Sequence, residues 1–290
     1  MAEHAIPVDL HNPGQVFACL GFLEAADVLL GDAEGGFDWS NAAGALFKLR
    51  ANGNRNPFEV VLEFLANAEV SSVAPPDSKY GTEKWEIPTK ALAEGQPFPI
   101  AVPPSPATLP ALLVVGDNAL TVDHWGDSTD RDNVKFWAGS GGYPGAALMR
   151  DALSLVRGQI KDAVSDPFAL AAPQSSSFRF DWRRDYIPMD VGFSPNEHDE
   201  LTMVGFPLVE ILAAIGLTNA RPKRINKLKY QYGVVAAPDP HRLLSPIFLR
   251  AALGGSELPF PRRLFHMELG WPGQENQARC ITDVIEENRL

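Results

Sequence analysis

The chain has 290 residues and a mass of 31.5 kDa, which is enough for one large or two ordinary domains, because domains commonly hold about 100–200 residues. Its content of 45% hydrophobic and 21% charged residues excludes a disordered or collagen-like protein. Two cysteines, Cys19 and Cys280, are too few for a disulfide scaffold, and the first residues are not typical of a signal peptide. We therefore expect a cytoplasmic protein without a membrane-spanning helix.

The net charge of −11 is distributed unevenly along the chain. Residues 1–170 contain 11 Lys/Arg and 22 Asp/Glu, whereas residues 171–290 contain 14 of each. Within the second part, residues 221–263 contain nine Lys/Arg and two Asp/Glu. This basic segment predicts either contact with phosphate or docking against an acidic surface.

The first part opens with a predicted strand in AIPVDL, followed by a helix over residues 15–30. Asn12 is the predicted N-cap of that helix, Pro13 its first residue and Gly31 its end. One or two strands follow in residues 37–53, and Asn56 marks the start of a second helix. Residues 111–125 predict a hairpin that turns at 116–118, and residues 146–160 predict an amphipathic helix.

The sequence LAAPQSSS at 170–177 marks a predicted boundary between an N-terminal acidic domain, 1–169, and a C-terminal domain with the basic segment, 170–290. The second part predicts strands at 178–193, 227–236 and 263–271 and helices at 207–217 and 245–253. Each part also has an apolar helical stretch that contains a glycine, FACLGFLEAAD in the first and LVEILAAIGL in the second. These stretches suggest two related α+β halves.

Motifs for common catalytic sites are absent from the sequence. There is no Gly-x-Ser-x-Gly elbow, no phosphate loop ending in Gly-Lys-Ser/Thr, no His-Glu-x-x-His and no Cys-x-x-Cys. We therefore predict a protein that is not an enzyme and has no cofactor and no metal site. An alternative remains in an acidic loop that could bind a divalent cation and act as a metal-dependent nuclease or RNA-processing site, through Asp123, His124, Asp127 and Asp130.

A glycine-rich loop, GSGGYPG at 139–145, precedes the predicted helix at 146–160. Glycines allow backbone N–H groups to approach an anion, and the start of a helix adds a partial positive charge. The loop is therefore a candidate backbone cradle for phosphate, and the alternative is a tight connection into the helix. The glycines of this candidate site are Gly139, Gly141, Gly142 and Gly145.

The segment FRFDWRR at 178–184 alternates aromatic and charged residues. On a strand, the aromatic side chains would face the core and the charged ones would face solvent. The arginines could then contact phosphate or a partner's carboxylates. Together with the basic segment, the predicted phosphate contacts are Arg179, Arg183, Arg184, Arg221, Lys223, Arg224, Lys227 and Lys229.

Four stretches, in the same order along the chain, resemble a family of CRISPR-associated proteins. The chain is similar to the third Csb-type family of type I-U (also called I-G) systems, and the similarity is carried by IPVDLHNPGQVFACLGFLEAADVLLGDAEGGF, KFWAGSGGYPGAALMRDAL, FDWRRDYIPMDVGFSPNE and FPLVEILAAIGL. Such proteins resemble the repeat-associated (RAMP-like) superfamily. That resemblance implies ferredoxin-like βαββαβ domains, antiparallel sheets and RNA binding through a Gly-rich loop.

The resemblance implies a non-enzymatic subunit or accessory of an RNA-guided effector complex in antiviral defence. The implied partners are CRISPR RNA, target DNA and other CRISPR-associated subunits, with no membrane. In two respects the chain departs from the family pattern: its Gly-rich loop is not near the end of the chain, and its net charge is acidic. The alternative is a scaffold subunit whose basic segment meets acidic partner surfaces without contacting nucleic acid.

Overall fold

The computed structural model describes residues 1–92, 105–125, 143–184, 203–237, 239, 242–270 and 279–287. Within these residues the chain forms five α-helices, four short 3₁₀ helices and thirteen strands. The helices are α1 (Pro13–Leu30), α2 (Pro57–Asn67), α3 (Gly145–Val156), α4 (Pro207–Asn219) and α5 (Pro246–Leu253). The strands are β1 (Ala2–Val8), β2 (Glu34–Asp38), β3 (Ala45–Ala51), β4 (Glu69–Ala74), β5 (Thr89–Ala91), β6 (Ala111–Val115), β7 (Asn118–Val122), β8 (Ala172–Pro173), β9 (Val204–Gly205), β10 (Lys223–Arg224), β11 (Lys229–Val235), β12 (Arg262–Gly270) and β13 (Cys280–Glu286).

The strands form three main sheets and one short pair. The first sheet has the order β1-β3-β2 and the third the order β10-β11-β12-β13, and both are antiparallel. The second sheet, β5-β4-β6-β7, has one parallel pair, β4 with β5. The predicted α+β class with antiparallel sheets is therefore confirmed.

Helix α1 begins and ends at the residues predicted from its capping signals. The Asn12 side chain accepts a hydrogen bond from the backbone N–H of Gln15, and Pro13 occupies the first turn, where a missing N–H does no harm. Gly31, at φ 78°, ends the helix in a backbone conformation that a residue with a side chain rarely adopts. The predicted bounds of this helix are confirmed.

Helices α1 and α4 pack against each other in the core and approach closely because each has a glycine at the contact. A Cβ atom on Gly21 would collide with the carbonyl oxygen of Leu212, and one on Gly216 would collide with that of Phe17. Both helices are buried on all sides over most of their length. The two glycine-containing stretches seen in the sequence are therefore packed against each other.

The core is a single cluster of buried side chains that draws residues from every main sheet and from all five helices. It includes residues on both sides of the position predicted as a domain boundary, such as Phe22 and Phe265. The hydroxyl of buried Tyr232 also donates to the carbonyl of Leu10 at 2.8 Å, which joins β11 to the turn after β1. The division at 169/170 stays a prediction.

Helix α1 is long and apolar enough, by length and composition, to cross a membrane, with a mean hydropathy of 1.3. However, 78% of it is buried inside the protein, as in the core helix of a globular fold. α1 is the one helix in the described part of the chain that meets this test.

The element order is the same in two parts of the chain. β1, α1, β2, β3, α2 and β4 follow one another as strand, helix, strand, strand, helix and strand, and so do β9, α4, β10, β11, α5 and β12. The strand pairing differs, because β3 lies between β1 and β2, whereas β11 lies between β10 and β12.

Most of the predicted elements are confirmed, but the sequence does not indicate strands β4 and β13 or the two-residue strands β8, β9 and β10. The strand predicted from residue 178 onward is wrong over its described part, because residues 178–184 form turns and irregular backbone. The rest of that predicted strand lies outside the described residues.

Candidate nucleic-acid interface

Residues 223–229 form a hairpin at the edge of the third sheet, called here the basic hairpin. β10 pairs with β11 so that Lys223 lies opposite Gln231. The turn is closed by the Lys229 carbonyl, which accepts the N–H groups of Ile225 and Asn226 at 2.9 and 3.1 Å. The Asn226 side chain accepts the N–H of Leu228 at 2.9 Å, as asparagine commonly does in turns.

The basic hairpin carries four cationic side chains and no acidic residue. All four side chains are exposed, namely Lys223, Arg224, Lys227 and Lys229. Lys229 forms an ion pair with Glu268 on β12, and both members of the pair are about half exposed, with 52% and 44% of their side-chain surface accessible. The hairpin therefore presents a compact group of positive charges to solvent, which is the arrangement that phosphate contacts require.

Arg221 lies at the base of the hairpin and is half-buried. Its Nη2 donates to the carbonyl oxygen of His124 at 2.9 Å. Burial raises the pKa of the nearby Asp123 carboxyl, and the positive charge of Arg221 partly offsets that rise. Arg221 therefore connects the hairpin to the end of β7 and is less accessible than the four cations above it.

The three arginines at 179–184 lie in a different environment from the basic hairpin. Arg184 is buried, with 4% of its surface exposed, and its Nη2 donates to the carbonyls of Gln174 and Ser175 at 2.9 and 3.0 Å. Arg179 is half-buried and has a left-handed backbone at φ 67°. The structure thus does not bring these arginines onto one solvent-facing surface, as the predicted strand would.

Arg183 is engaged by several groups at once. Its Nε and Nη2 bond to the carboxylate of Asp181, and Nη2 also donates to the carbonyl of Phe168 at 2.8 Å. The guanidinium carbon lies 3.5 Å from the ring centroid of Phe206, which is close enough for a cation–π interaction. The prediction that Asp181 faces solvent is wrong, because Asp181 is fully buried.

A buried acidic group holds this segment in place. The carboxylate of Glu210, on α4, accepts the backbone N–H groups of Phe180 and Asp181 at 3.0–3.1 Å. Asp181 in turn accepts the side-chain amide of Asn12, the N-cap of α1, at 2.9 Å. Burial raises the pKa of Glu210 to about 7, although the two N–H donors and the charge of Arg184 act in the opposite direction. The network joins α1 to α4 and is structural.

The aromatic side chains of the same segment face the core, as predicted. Phe178 and Phe180 are buried and stack with ring centroids 5.6 Å apart, and Trp182 packs partly buried against the core cluster. The segment therefore uses both its rings and its arginines for packing inside the protein.

The glycine-rich loop is described only at its end. Gly145 is buried at the start of α3, where a Cβ atom would collide with the indole of Trp125. Its lack of a side chain is therefore explained by packing. The other three glycines of the candidate cradle, Gly139, Gly141 and Gly142, lie outside the described residues.

The alternative metal site is also only partly described. His124 is buried among the rings of Trp125, Phe178 and Phe180, and Asp123 is half-buried beside Arg221. Asp127 and Asp130 lie outside the described residues. Within the described residues, no group of three or more His, Cys, Asp or Glu side chains could hold a metal ion.

A cavity of about 550 Å³ lies beside the end of β1 and the start of α1, and the sequence did not indicate it. It is lined in part by Gln15, Trp39 and Arg263, which come from separate parts of the chain. One local signal was available, because Trp39 stands in the polar turn DWSN between two strands, where a large aromatic side chain is unusual.

Comparison with known proteins adds no relative to these observations: no protein-family model, no curated protein and no solved structure matches the chain.

Proposed function

We propose that the chain is a non-enzymatic, nucleic-acid-binding subunit of a type I-U/I-G CRISPR effector complex. The observation that carries the proposal is the basic hairpin, which holds four exposed cations on a turn closed by its own backbone. Phosphate contacts of this kind supply sequence-independent affinity, while specificity in such complexes comes from pairing of the guide. The proposed partners are CRISPR RNA, target DNA and other subunits of the complex, in the cytoplasm.

The acidic balance of the rest of the chain is compatible with this role. A subunit that binds nucleic acid through one hairpin needs positive charge only there. A negative surface elsewhere disfavours binding of nucleic acid at other positions on the protein. We therefore propose a peripheral position in the complex, with the basic hairpin toward the nucleic acid and the acidic first part toward solvent or basic neighbours.

The topology supports a relation to ferredoxin-like domains. In the first sheet, β1 and β2 run parallel on either side of β3 and are connected through α1, which is a split βαβ unit. The same order of strands and helices recurs from β9 to β12, and α1 and α4, the equivalent helices of the two parts, meet at Gly21 and Gly216. We infer that the two parts are related halves. Two features differ between the parts. β4 belongs to the second sheet and not to the first, and the strands of the third sheet lie in chain order, whereas β3 lies between β1 and β2 in the first sheet.

Titration of the purified chain with nucleic acid tests the proposal. The chain is mixed with labelled single-stranded RNA, single-stranded DNA and duplex DNA at about 50 mM and about 200 mM salt, and binding is followed by fluorescence anisotropy. The variant replaces Lys223, Arg224, Lys227 and Lys229 with Ala. We expect affinity for single strands to fall roughly tenfold or more and the salt slope to flatten by up to about 3, at about 0.7 for each phosphate that the variant no longer neutralises.

The matched control removes the same charge elsewhere. It replaces four exposed lysines of the first part with Ala, namely Lys79, Lys84, Lys90 and Lys161. We expect this control to change affinity far less than the hairpin variant. Equal decreases in both variants, or no decrease in the hairpin variant, would overturn the assignment. Absence of binding by the isolated chain would favour the scaffold alternative, in which the hairpin meets acidic partner surfaces.

A further inference from the structure

The cavity beside the start of α1 is the centre of a groove, called here the Trp39 groove. Two further cavities, of about 470 and 280 Å³, lie next to it, and Trp39 lines all three. The largest falls within the range of about 300–1,000 Å³ that is usual for small-molecule sites. The side chains that matter for its chemistry are His11, Gln15, Trp39, Asp166, Arg183 and Arg263.

Gln15 supplies the most informative atom of the groove. Its side chain is 5% exposed, and its Oε1 accepts the backbone N–H of Asp9 at 2.7 Å. That bond fixes the orientation of the amide, so that Nε2 is on the other side with two hydrogens to donate. No described residue accepts a hydrogen bond from it. Because Gln15 lines the groove, this N–H pair is available to donate to a ligand or to solvent there.

The two arginines of the groove are held rigidly from one side. Arg263 directs Nε and Nη2 at the carboxylate of Glu286, with both distances 2.6 Å. Arg183 is held in the same way by Asp181. In each guanidinium the remaining nitrogen, Nη1, has no acceptor in the part of the chain that the structure describes. The groove therefore has three preorganised donor groups, with Gln15 as the third.

The charge around the groove restricts the ligand. Arg183 and Arg263 are each paired with an acid, Asp181 and Glu286, and Asp9 and Asp166 add two further carboxylates. A small inorganic anion would gain little from such a site, because its affinity would come from charge alone. A ligand that binds here needs an additional source of affinity.

Trp39 provides that source. It is half-buried against the core, and the guanidinium carbon of Arg263 lies 5.9 Å from its ring centroid. An aromatic ring fixed at one edge of a groove is a stacking platform for a base. Asp166, which is exposed, adds an acceptor for an amino or hydroxyl group.

We propose that the Trp39 groove binds one unpaired nucleotide. The phosphate lies against the donors of Gln15, Arg183 and Arg263, and the base stacks on Trp39. The nucleotide belongs either to a single strand or to a free mononucleotide. The site is separate from the basic hairpin, because Arg263 pairs with Val234, five residues and about 16 Å along β11 from Lys229.

The experiment uses the variant that lacks the four hairpin cations, so that binding through the hairpin does not contribute. The probes are AMP, UMP, inorganic phosphate and a pentameric oligouridylate, each titrated by calorimetry. We expect the nucleotides or the pentamer to bind and inorganic phosphate not to bind at the same concentrations. Binding of the pentamer alone would identify a strand as the source, and equal binding of AMP or UMP would identify a free nucleotide.

Substitutions of Trp39 provide the decisive comparison. Trp39→Ala is expected to weaken nucleotide binding by about 5- to 150-fold, the range for removal of one stacked base, and Trp39→Phe to retain most of it. Trp85→Ala is the control, because Trp85 is also half-buried but lies outside the groove. The proposal would be overturned if Trp39→Ala bound nucleotides as tightly as the protein with Trp39 does. It would also be overturned if inorganic phosphate bound as strongly as the nucleotides, or if no probe bound. None of these outcomes bears on the hairpin assay, so the two proposals fail separately.

Discussion

Two clusters of basic residues look alike in the sequence and differ in the folded protein. The arginines at 179–184 are half-buried or buried, and Arg183 and Arg184 bond to carbonyl and carboxylate groups of the protein itself. The four cations of the basic hairpin are exposed, and even Lys229, which pairs with Glu268, is about half accessible to solvent. Positive charge in a sequence thus indicates a phosphate-binding surface only where the fold leaves that charge exposed.

The residue types of the two clusters fit this difference. The first cluster is all arginine and is interleaved with aromatic residues, and the planar guanidinium can satisfy several acceptors at once inside a protein. The second is mostly lysine, whose compact, strongly hydrated charge favours solvent, and it surrounds the Asn226 turn. Arginine beside phenylalanine and tryptophan is therefore a signal for packing, and lysine around a turn is a signal for an exposed face.

The largest effect that separates the clusters is expected from the same substitution made in each. Arg184→Met removes the donor to two carbonyls, and we expect the free energy of unfolding to fall by about 2–6 kcal/mol, at about 1–3 kcal/mol for each acceptor left without a partner. Arg224→Met, in the exposed hairpin, should change it by less than about 0.5 kcal/mol. Urea denaturation followed by circular dichroism measures both. Similar values for the two variants would show that the clusters do not differ as described.

A smaller effect is expected from the pH dependence of the buried cluster. The pKa of Glu210 is raised from 4.5 to about 7 in the folded protein. The folded state therefore binds more protons than the unfolded state between about pH 4.5 and pH 7, and stability falls as the pH rises through that window. At about 1.4 kcal/mol per pKa unit, we expect a decrease of about 3–4 kcal/mol over the whole window. The charged groups that act on Glu210 are Asp181 and Arg184.

Glu210→Gln provides the comparison for this prediction. The amide does not titrate, so the difference in unfolding free energy between the variant and the wild type should change by about 2 kcal/mol between pH 5 and pH 8. A difference that stays constant over this range would show that Glu210 does not hold its proton in the folded state.

How far the sequence predicts this fold depends on whether the signal is local. The start of α1 at Asn12 and Pro13 and its end at Gly31 are set by neighbouring residues, and all are confirmed. The strand predicted at 178–184 fails for a non-local reason. The N–H groups of Phe180 and Asp181 are taken by Glu210, 29 or 30 residues away, so that they do not form a strand ladder, and no alternation of side chains reveals that competitor.

The candidate sites follow the same rule. The four cations of the basic hairpin could be predicted as phosphate contacts because they lie within seven consecutive residues. The hairpin itself is not predicted, because the expected strand begins at residue 227. The Trp39 groove could not be predicted, because its donors come from α1, from the turn at 183 and from β12. Only the folded chain brings these positions together, and only the hydrogen bond from Asp9 shows which way the Gln15 amide points.

The smallest predicted effect concerns Glu268, the acid that competes for Lys229 on the hairpin. Glu268→Gln removes the partner of an exposed ion pair, so stability should change by less than about 1 kcal/mol. The same substitution frees Lys229 for phosphate and removes a negative charge beside the hairpin. We therefore expect affinity for single-stranded RNA to rise about two- to threefold at low salt, with a smaller gain at higher salt because exposed charges are screened. The control is Glu83→Gln, which removes the same charge at an exposed residue distant in sequence from the basic hairpin. An equal gain in both variants would show that net charge, and not the basic hairpin, governs the binding of RNA.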